Sequence, residues 1–190
     1  MKYSMEQLQT EHASGKRGTF LFFWGHTPSE LGKIDKSCLS QWWISPFVID
    51  GVPYSCSEQY MMAEKARLFQ DGEMLAAILQ ARGPKEMKAF GRAVKNFDKS
   101  VWESRCFAIV KKGNLAKFSQ NALLGLFLKS TDNSILVEAS PHDRIWGIGM
   151  GQSDSNAGNP LEWRGKNWLG FALMEVRDEL FNERRDNHEP

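Results

Sequence analysis

Cysteine is scarce in this sequence. Cys38, Cys56 and Cys106 are its three, an odd number without ligand-like spacing, which argues against a disulfide framework or a zinc ribbon and fits a reducing compartment. Histidine is equally thin: His12, His26, His142 and His188 lie far apart, so no metal site is expected. Charge of one sign is also missing, with 24 Lys and Arg against 23 Asp and Glu. That balance argues against a broad basic footprint for nucleic acid but leaves room for a local anion pocket built from a few placed cations. No long hydrophobic run occurs. The longest apolar stretch is Phe20 to Trp24, whereas a bilayer needs about 20 such residues. The opening residues MKYSMEQLQTEHASGKRG are polar, unlike a signal peptide. A cytoplasmic location with no membrane partner is therefore expected. Repeats, linkers and low-complexity tracts are absent too. GIGMG lacks both the GxGxxG spacing and a following helix, and no GxxxxGK[ST] occurs, so no nucleotide-cofactor fingerprint is present.

What the sequence does have is aromatic residues, seven Trp and twelve Phe among 190 residues. Most fill a core; a few are available to stack on a flat base. The length suits one domain. The expected organisation is a polar tail or short helix over 1–18, one domain over 19–184 and a C-terminal tail over 185–190.

Thr19 to Trp24 reads as a buried strand. Phe47 to Tyr54 reads as a hairpin turning at Asp50-Gly51. Ser55-Cys56-Ser57-Glu58 matches a capping box that opens a helix running to about Phe69. Helices over Glu73–Gln80 and from Pro84 to about Arg92 follow. Asp98 caps a longer one to Phe118, and Asn121–Lys129 forms another. Ile135–Ala139 is a short strand, and 141–159 is a long glycine-rich loop of the kind that carries function. Asn167 is the expected cap of a last helix running from Trp168 to about Arg184. Many helices with few short strands predict an α+β fold, mostly helical.

Several residues stand out chemically, each with a plainer reading beside it. Glu58 is either the capping-box partner of Ser55 or a carboxylate held charged in the field of a helix N-terminus. Lys65 lies about two helical turns further along the same stripe; it is a solvated lysine or a pocket cation. Trp102 packs in the core or stacks on a base. In DRIWGIGMG, Asp143 is a turn former or a second carboxylate, and Trp146 a core plug or a ligand contact, with Gly147 and Gly149 letting the chain pass close to a ligand. Lys166 and Asn167 form a turn and cap, or set a cation beside free N–H groups at a helix start.

Four stretches, in this order, resemble the YbiA/NADAR family. They are Phe47–Tyr54 with Ser57-Glu58-Gln59-Tyr60, then Ala63-Glu64-Lys65-Ala66, then Asp143–Gly149, and finally Gly165-Lys166-Asn167-Trp168-Leu169-Gly170 running into Leu173-Met174-Glu175-Val176-Arg177. The resemblance covers about residues 20–182. It implies an N-glycoside hydrolase without metal or cofactor, acting on a ribosyl C1–N bond near a phosphate. The implied substrates are ribosylamino-pyrimidine intermediates of riboflavin synthesis, or ADP-ribose on guanine, in which case ADP-ribosylated nucleic acid is a partner. It implies Glu58 as the catalytic glutamate, with Trp102, Lys65 and Asp143 also catalytic. Trp146, Gly147, Gly149, Lys166 and Asn167 would contact substrate. One departure is evident: bacterial members carry an acidic residue after the Trp-Gly pair, where this chain has Ile148. That keeps open an alternative, a non-catalytic module that binds nucleotide or ADP-ribose. Extra basic residues for a nucleic-acid rim would be sought at Lys33, Lys36, Arg144 and Arg164.

Overall fold

In a computed structural model that describes residues 1–181, the chain forms, in order, α1 (Met5–Ala13), β1 (Phe20–Phe23), a 3-10 turn at Lys36–Leu39, β2 (Phe47–Ile49), β3 (Val52–Tyr54), α2 (Ser57–Leu68), α3 (Gly72–Gln80), α4 (Pro84–Arg92), α5 (Lys99–Gln120), α6 (Ala122–Ser130), β4 (Ile135–Glu138), a second 3-10 turn at Pro160–Glu162 and α7 (Trp168–Phe181). This is the expected α+β fold, dominated by helices. The anticipated stretch of the last helix up to Arg184, the tail from 185 and His188 lie outside the described residues. Two compact units are formed, Gln41–Ala122 and Met1–Ser40 with the chain from Leu123 onward.

Within Gln41–Ala122, β2 and β3 pair antiparallel, Phe47 opposite Tyr54 and Ile49 opposite Val52. Asp50 and Gly51 turn the hairpin with φ of 52° and 77°, the left-handed geometry that Asp-Gly accepts at little cost. Tyr60 of α2 meets the Tyr54 ring edge-on, centroids 5.1 Å apart. Helices α3 and α5 start where a short side chain accepts an orphan N–H, Asp71 from Met74 and Asp98 from Val101, whereas α4 opens at Gly83-Pro84 without a side-chain cap.

In the other unit β1 runs parallel to β4, Phe20 opposite Ile135 and Phe23 opposite Glu138. Helix α7 covers β4. It is buried from Leu169 to Asp178, the charged Glu175, Arg177 and Asp178 included. Its approach to the strand requires glycine: a Cβ at Gly170 would collide with the Leu136 carbonyl oxygen. A satellite core forms from Val137, Ala139, Ile148, Met150, Ala157 and Trp163, with Met5 and Leu8 of α1 packed on it. The short N-terminal helix is thus part of this unit.

Candidate active site

The start of α2 differs from the capping box read in the sequence. The N-cap is Cys56, one residue later than expected, and it makes no side-chain capping bond. The reciprocal bond comes from Gln59, whose Oε1 accepts from the Ser55 N–H at 2.7 Å and the Ser55 hydroxyl at 3.0 Å. Gln59 also donates through Nε2 to the Ile78 and Leu79 carbonyls. Glu58 is therefore not the capping partner of Ser55. It sits in the first turn, 3% exposed, where the helix dipole favours its charged form. Its own N–H donates to the Gln41 carbonyl at 3.0 Å.

A buried polar network surrounds this turn. Asn114 of α5 donates to Gln41 Oε1 at 2.8 Å and to the Val110 carbonyl at 2.9 Å, and the Ser57 hydroxyl lies 3.4 Å from Asn114 Oδ1. Lys117, one turn beyond Asn114, is fully buried. Gln41, Asn114 and Lys117 were missed by the sequence reading. The available signal was that Asn114 and Lys117 continue the buried stripe of Cys106 and Val110, where a polar residue must be bonded to be tolerated.

Lys65 is half-buried rather than solvated. Its ammonium donates to the Gly91 carbonyl at 2.7 Å. It lies 4.2 Å from the Phe97 ring centroid and 5.8 Å from that of Trp102, within cation–π range. Among the described residues it forms no ion pair. Burial pulls its pKa down from the usual lysine value, and Arg92 nearby pulls the same way. Lys65 and Trp102 are thus brought together, and Glu58 lies about 10 Å away along the axis of α2.

The residues on the glycine-rich loop are organised differently. Asp143 Oδ1 accepts from the backbone N–H of both Ile145 and Trp146 at 2.8 Å, and its carbonyl accepts from Gly149. One carboxylate oxygen therefore shapes the turn. The chain then bonds to the segment before α7 through main-chain groups: Arg164 to Ile148, Lys166 to Arg144, Asn167 to Gly147, Trp168 to Ile145 and Leu169 to Trp146. The last three bonds consume N–H groups at the start of α7. The expectation that an anion would meet free N–H groups there is corrected: loop carbonyls already hold them.

Asn167 was expected to cap α7. Its buried side chain instead ties the helix start to β4, accepting from the Glu138 N–H at 3.0 Å and donating to the Leu136 carbonyl at 2.9 Å. One N–H and one lone pair of that buried amide are thereby committed to β4. Gly147 and Gly149 are buried, and a Cβ at Gly147 would sit 2.8 Å from the Glu138 carbonyl oxygen. Both serve backbone packing. Trp146 is half-buried and meets Trp168 edge-on at 6.0 Å, while exposed Lys166 lies over the Trp168 ring at 4.6 Å. Ile148 is wholly buried in the satellite core, so an acidic side chain in that orientation would be buried among apolar groups. Among the described residues no cluster of three or more His, Cys, Asp or Glu is arranged to hold a metal ion. None of the described helices is long and apolar enough to cross a membrane.

Residues 22–181 match the family model of the NADAR domain. The chain is 39% identical over 165 residues to N-glycosidase R617 of Acanthamoeba polyphaga mimivirus, covering 84% of this chain and 95% of that protein. It is 39% identical over 130 residues to Protein irg-1 of Caenorhabditis elegans, covering 67% of this chain and 61% of the relative. Among solved structures, the NMR structure of the E. coli protein YbiA superposes with a TM-score of 0.72 at 28% identity, covering 91% of each chain.

Proposed function

Because this chain belongs to the NADAR domain family, we propose that it is an N-glycosidase that cleaves the C1–N bond of a phosphorylated ribosyl compound. The observation that carries the site assignment is Glu58. It is buried in the first turn of α2, and Gln59 rather than Glu58 performs the reach-back to Ser55.

In the proposed reaction the C1–N bond breaks with its electron pair leaving on nitrogen, and positive charge builds on the ribose ring. A preorganised carboxylate stabilises that charge. Glu58 does this and takes a proton from the water whose oxygen bonds to C1. The departing nitrogen receives a proton, for which Asp143 is the proposed donor through the oxygen not committed to its turn; holding a ribose hydroxyl is its other assigned role. Lys65 and Lys166 are the proposed phosphate cations. In a covalent variant, the Lys65 amine, after losing a proton to solvent, bonds to C1 as the C1–N pair leaves on the departing nitrogen, and water later displaces the lysine from C1. Trp102 and Trp146 are the proposed platforms for the base.

Between the two substrate groups, the small ribosylamino-pyrimidine phosphate is favoured. Of the four candidate rim cations, Lys33 is paired with Glu30 at 3.0 Å, Arg164 with Asp154 at 3.9 Å, and Lys36 donates to Gln152. Two of the four cations thus carry an acidic neighbour, which lowers the net positive charge available to a nucleic acid. The second reading, a non-catalytic module, is favoured by the burial of Ile148 at the position where bacterial members carry an acid.

The test is a product assay on ribosylamino-pyrimidine phosphate and, separately, on guanine-ADP-ribosylated DNA, with Glu58→Gln beside the parent. Release of base amine or ADP-ribose that depends on Glu58 is the expected result. Equal release by both proteins would reject the role of Glu58. Binding without release would favour the module.

A further inference from the structure

Arg177 is 4% exposed and makes no direct ion pair among the described residues, Asp178 and Asp132 acting on its charge only from further away. Its Nη1 donates to the Thr131 hydroxyl and the Ser134 carbonyl, both at 2.9 Å, and its buried Nε has no hydrogen-bond partner. Burial weighs more on this guanidinium than those carboxylates relieve, so its pKa is pulled down, and buried charges are normally paired directly. Arg177 also lines a cleft of about 740 Å³, within the size range of small-ligand sites.

The cleft lies at the amino-terminal edge of β1 and β4, where Gly18–Phe20 and Ser134–Ile135 form one wall. The loop bearing Asp143 and Trp146 follows the opposite end of β4, one strand length or roughly 13 Å away. The two places are therefore distinct within the same unit. Phe20, Phe171 and Met174 give the cleft an apolar side. Of its other cations, Lys2 is paired with Asp178 and Lys16 with Glu11. Arg17, whose guanidinium donates to the His12 carbonyl, joins Arg177 in having no ion pair among the described residues. Asp132 is exposed on the lip.

We propose that this cleft is a second binding site, which takes a small oxyanion-bearing molecule with an apolar body, its phosphate or carboxylate on Arg177 and its exit flanked by Lys16 and Arg17. The ligand supplies the close oxyanion that Asp178 and Asp132 do not bring into direct contact with this guanidinium. A planar fork of N–H donors matches either oxyanion. The site is independent of the hydrolysis proposed above.

Inorganic phosphate and succinate are titrated separately into the ¹⁵N-labelled full chain at constant ionic strength, with chloride as the reference. Progressive shifts of the Gly18, Thr19, Asn133 and Ser134 amides are expected; the anion that saturates them at lower concentration identifies the headgroup class. Arg177→Gln should weaken this binding about tenfold or more. Because Arg177 also secures Thr131 and Ser134, a double change of the exposed residues, Lys16→Ala with Arg17→Ala, serves as the variant that keeps the fold and still weakens binding severalfold. Absence of shifts at these amides with both anions would overturn the proposal. So would shifts confined to the surroundings of Gly91 or Gly147, or cleft shifts that persist unchanged in the double variant.

Discussion

The candidate residues on α2 and α5 and those on the loop between β4 and α7 are held in place by different means. Glu58, Lys65 and Trp102 stand on helices, and bonded side chains such as Gln59 and Asn114 support that region. Asp143, Trp146 and Lys166 stand on irregular backbone that is fixed mainly by its own N–H and C=O groups, together with one carboxylate oxygen and the Asn167 amide. In the first region a side chain is replaceable without moving the main chain. In the second, a methyl group added at Gly147 or Gly165 meets the backbone itself.

The largest expected effect sharpens this contrast on the helical side. Glu58→Gln should lower kcat by roughly 10²- to 10³-fold, the range for loss of one preorganised electrostatic group, while the melting temperature stays close to the parent value. A large fall in stability instead would recast Glu58 as structural. Next, Asp143→Asn should keep the turn, since an amide oxygen can still accept from Ile145 and Trp146. Its kcat should nonetheless drop about 10²-fold if the carboxylate handles a proton. Unchanged turnover, together with loss of stability in Asp143→Ala, would confine Asp143 to shaping the loop.

On the loop side, Gly165→Ala would drive a Cβ into the Gly147 carbonyl oxygen. A loss of about 2 kcal/mol in urea unfolding is expected, on the scale of overpacking. A neutral result would break the claim that main-chain bonding fixes this region. The smallest effect concerns Lys65. Burial holds its folded-state pKa below the ordinary lysine value of 10.5, so the unfolded chain binds more protons as pH rises through the folded pKa. This residue's contribution to stability should therefore improve from neutral pH towards pH 10.5. Lys65→Met should lack that increment, so parent-minus-variant stability measured across that window should rise with pH. A flat difference would show that Lys65 is not burdened by burial.

The helices were legible because their signals are local. Asp71 and Asp98 act as caps, Pro84 opens α4 and Asp50-Gly51 turns the hairpin, each within a few residues of its effect. The pairing of β1 with β4 was not legible, because no pattern in either strand names a partner so distant in sequence. The cap of α2 was misplaced by one residue because Glu58 and Gln59 both suit the reach-back, and only Gln59 also meets the Ile78 and Leu79 carbonyls. In the candidate site, residue types were readable, but burial was not. Lys65 could be read as a solvated lysine or a pocket cation until the surrounding helices half-enclosed it, Lys117 gave no signal of its own, and Asn167 read as a cap until β4 lay beside it.

The main-chain ladder between the loop and the start of α7 also bears on how such a protein diversifies. Bonds made by N–H and C=O groups are blind to the side chains between them, so the path from Arg144 to Leu169 can be inherited unchanged while residues along it drift. Ile148 illustrates this: its amide nitrogen and carbonyl stay on Glu138 and Arg164, and its side chain is left to join whatever core is present. The backbone thus tolerates either side chain at this position, and the apolar surroundings of Ile148 decide which one packs there without the cost of a buried charge.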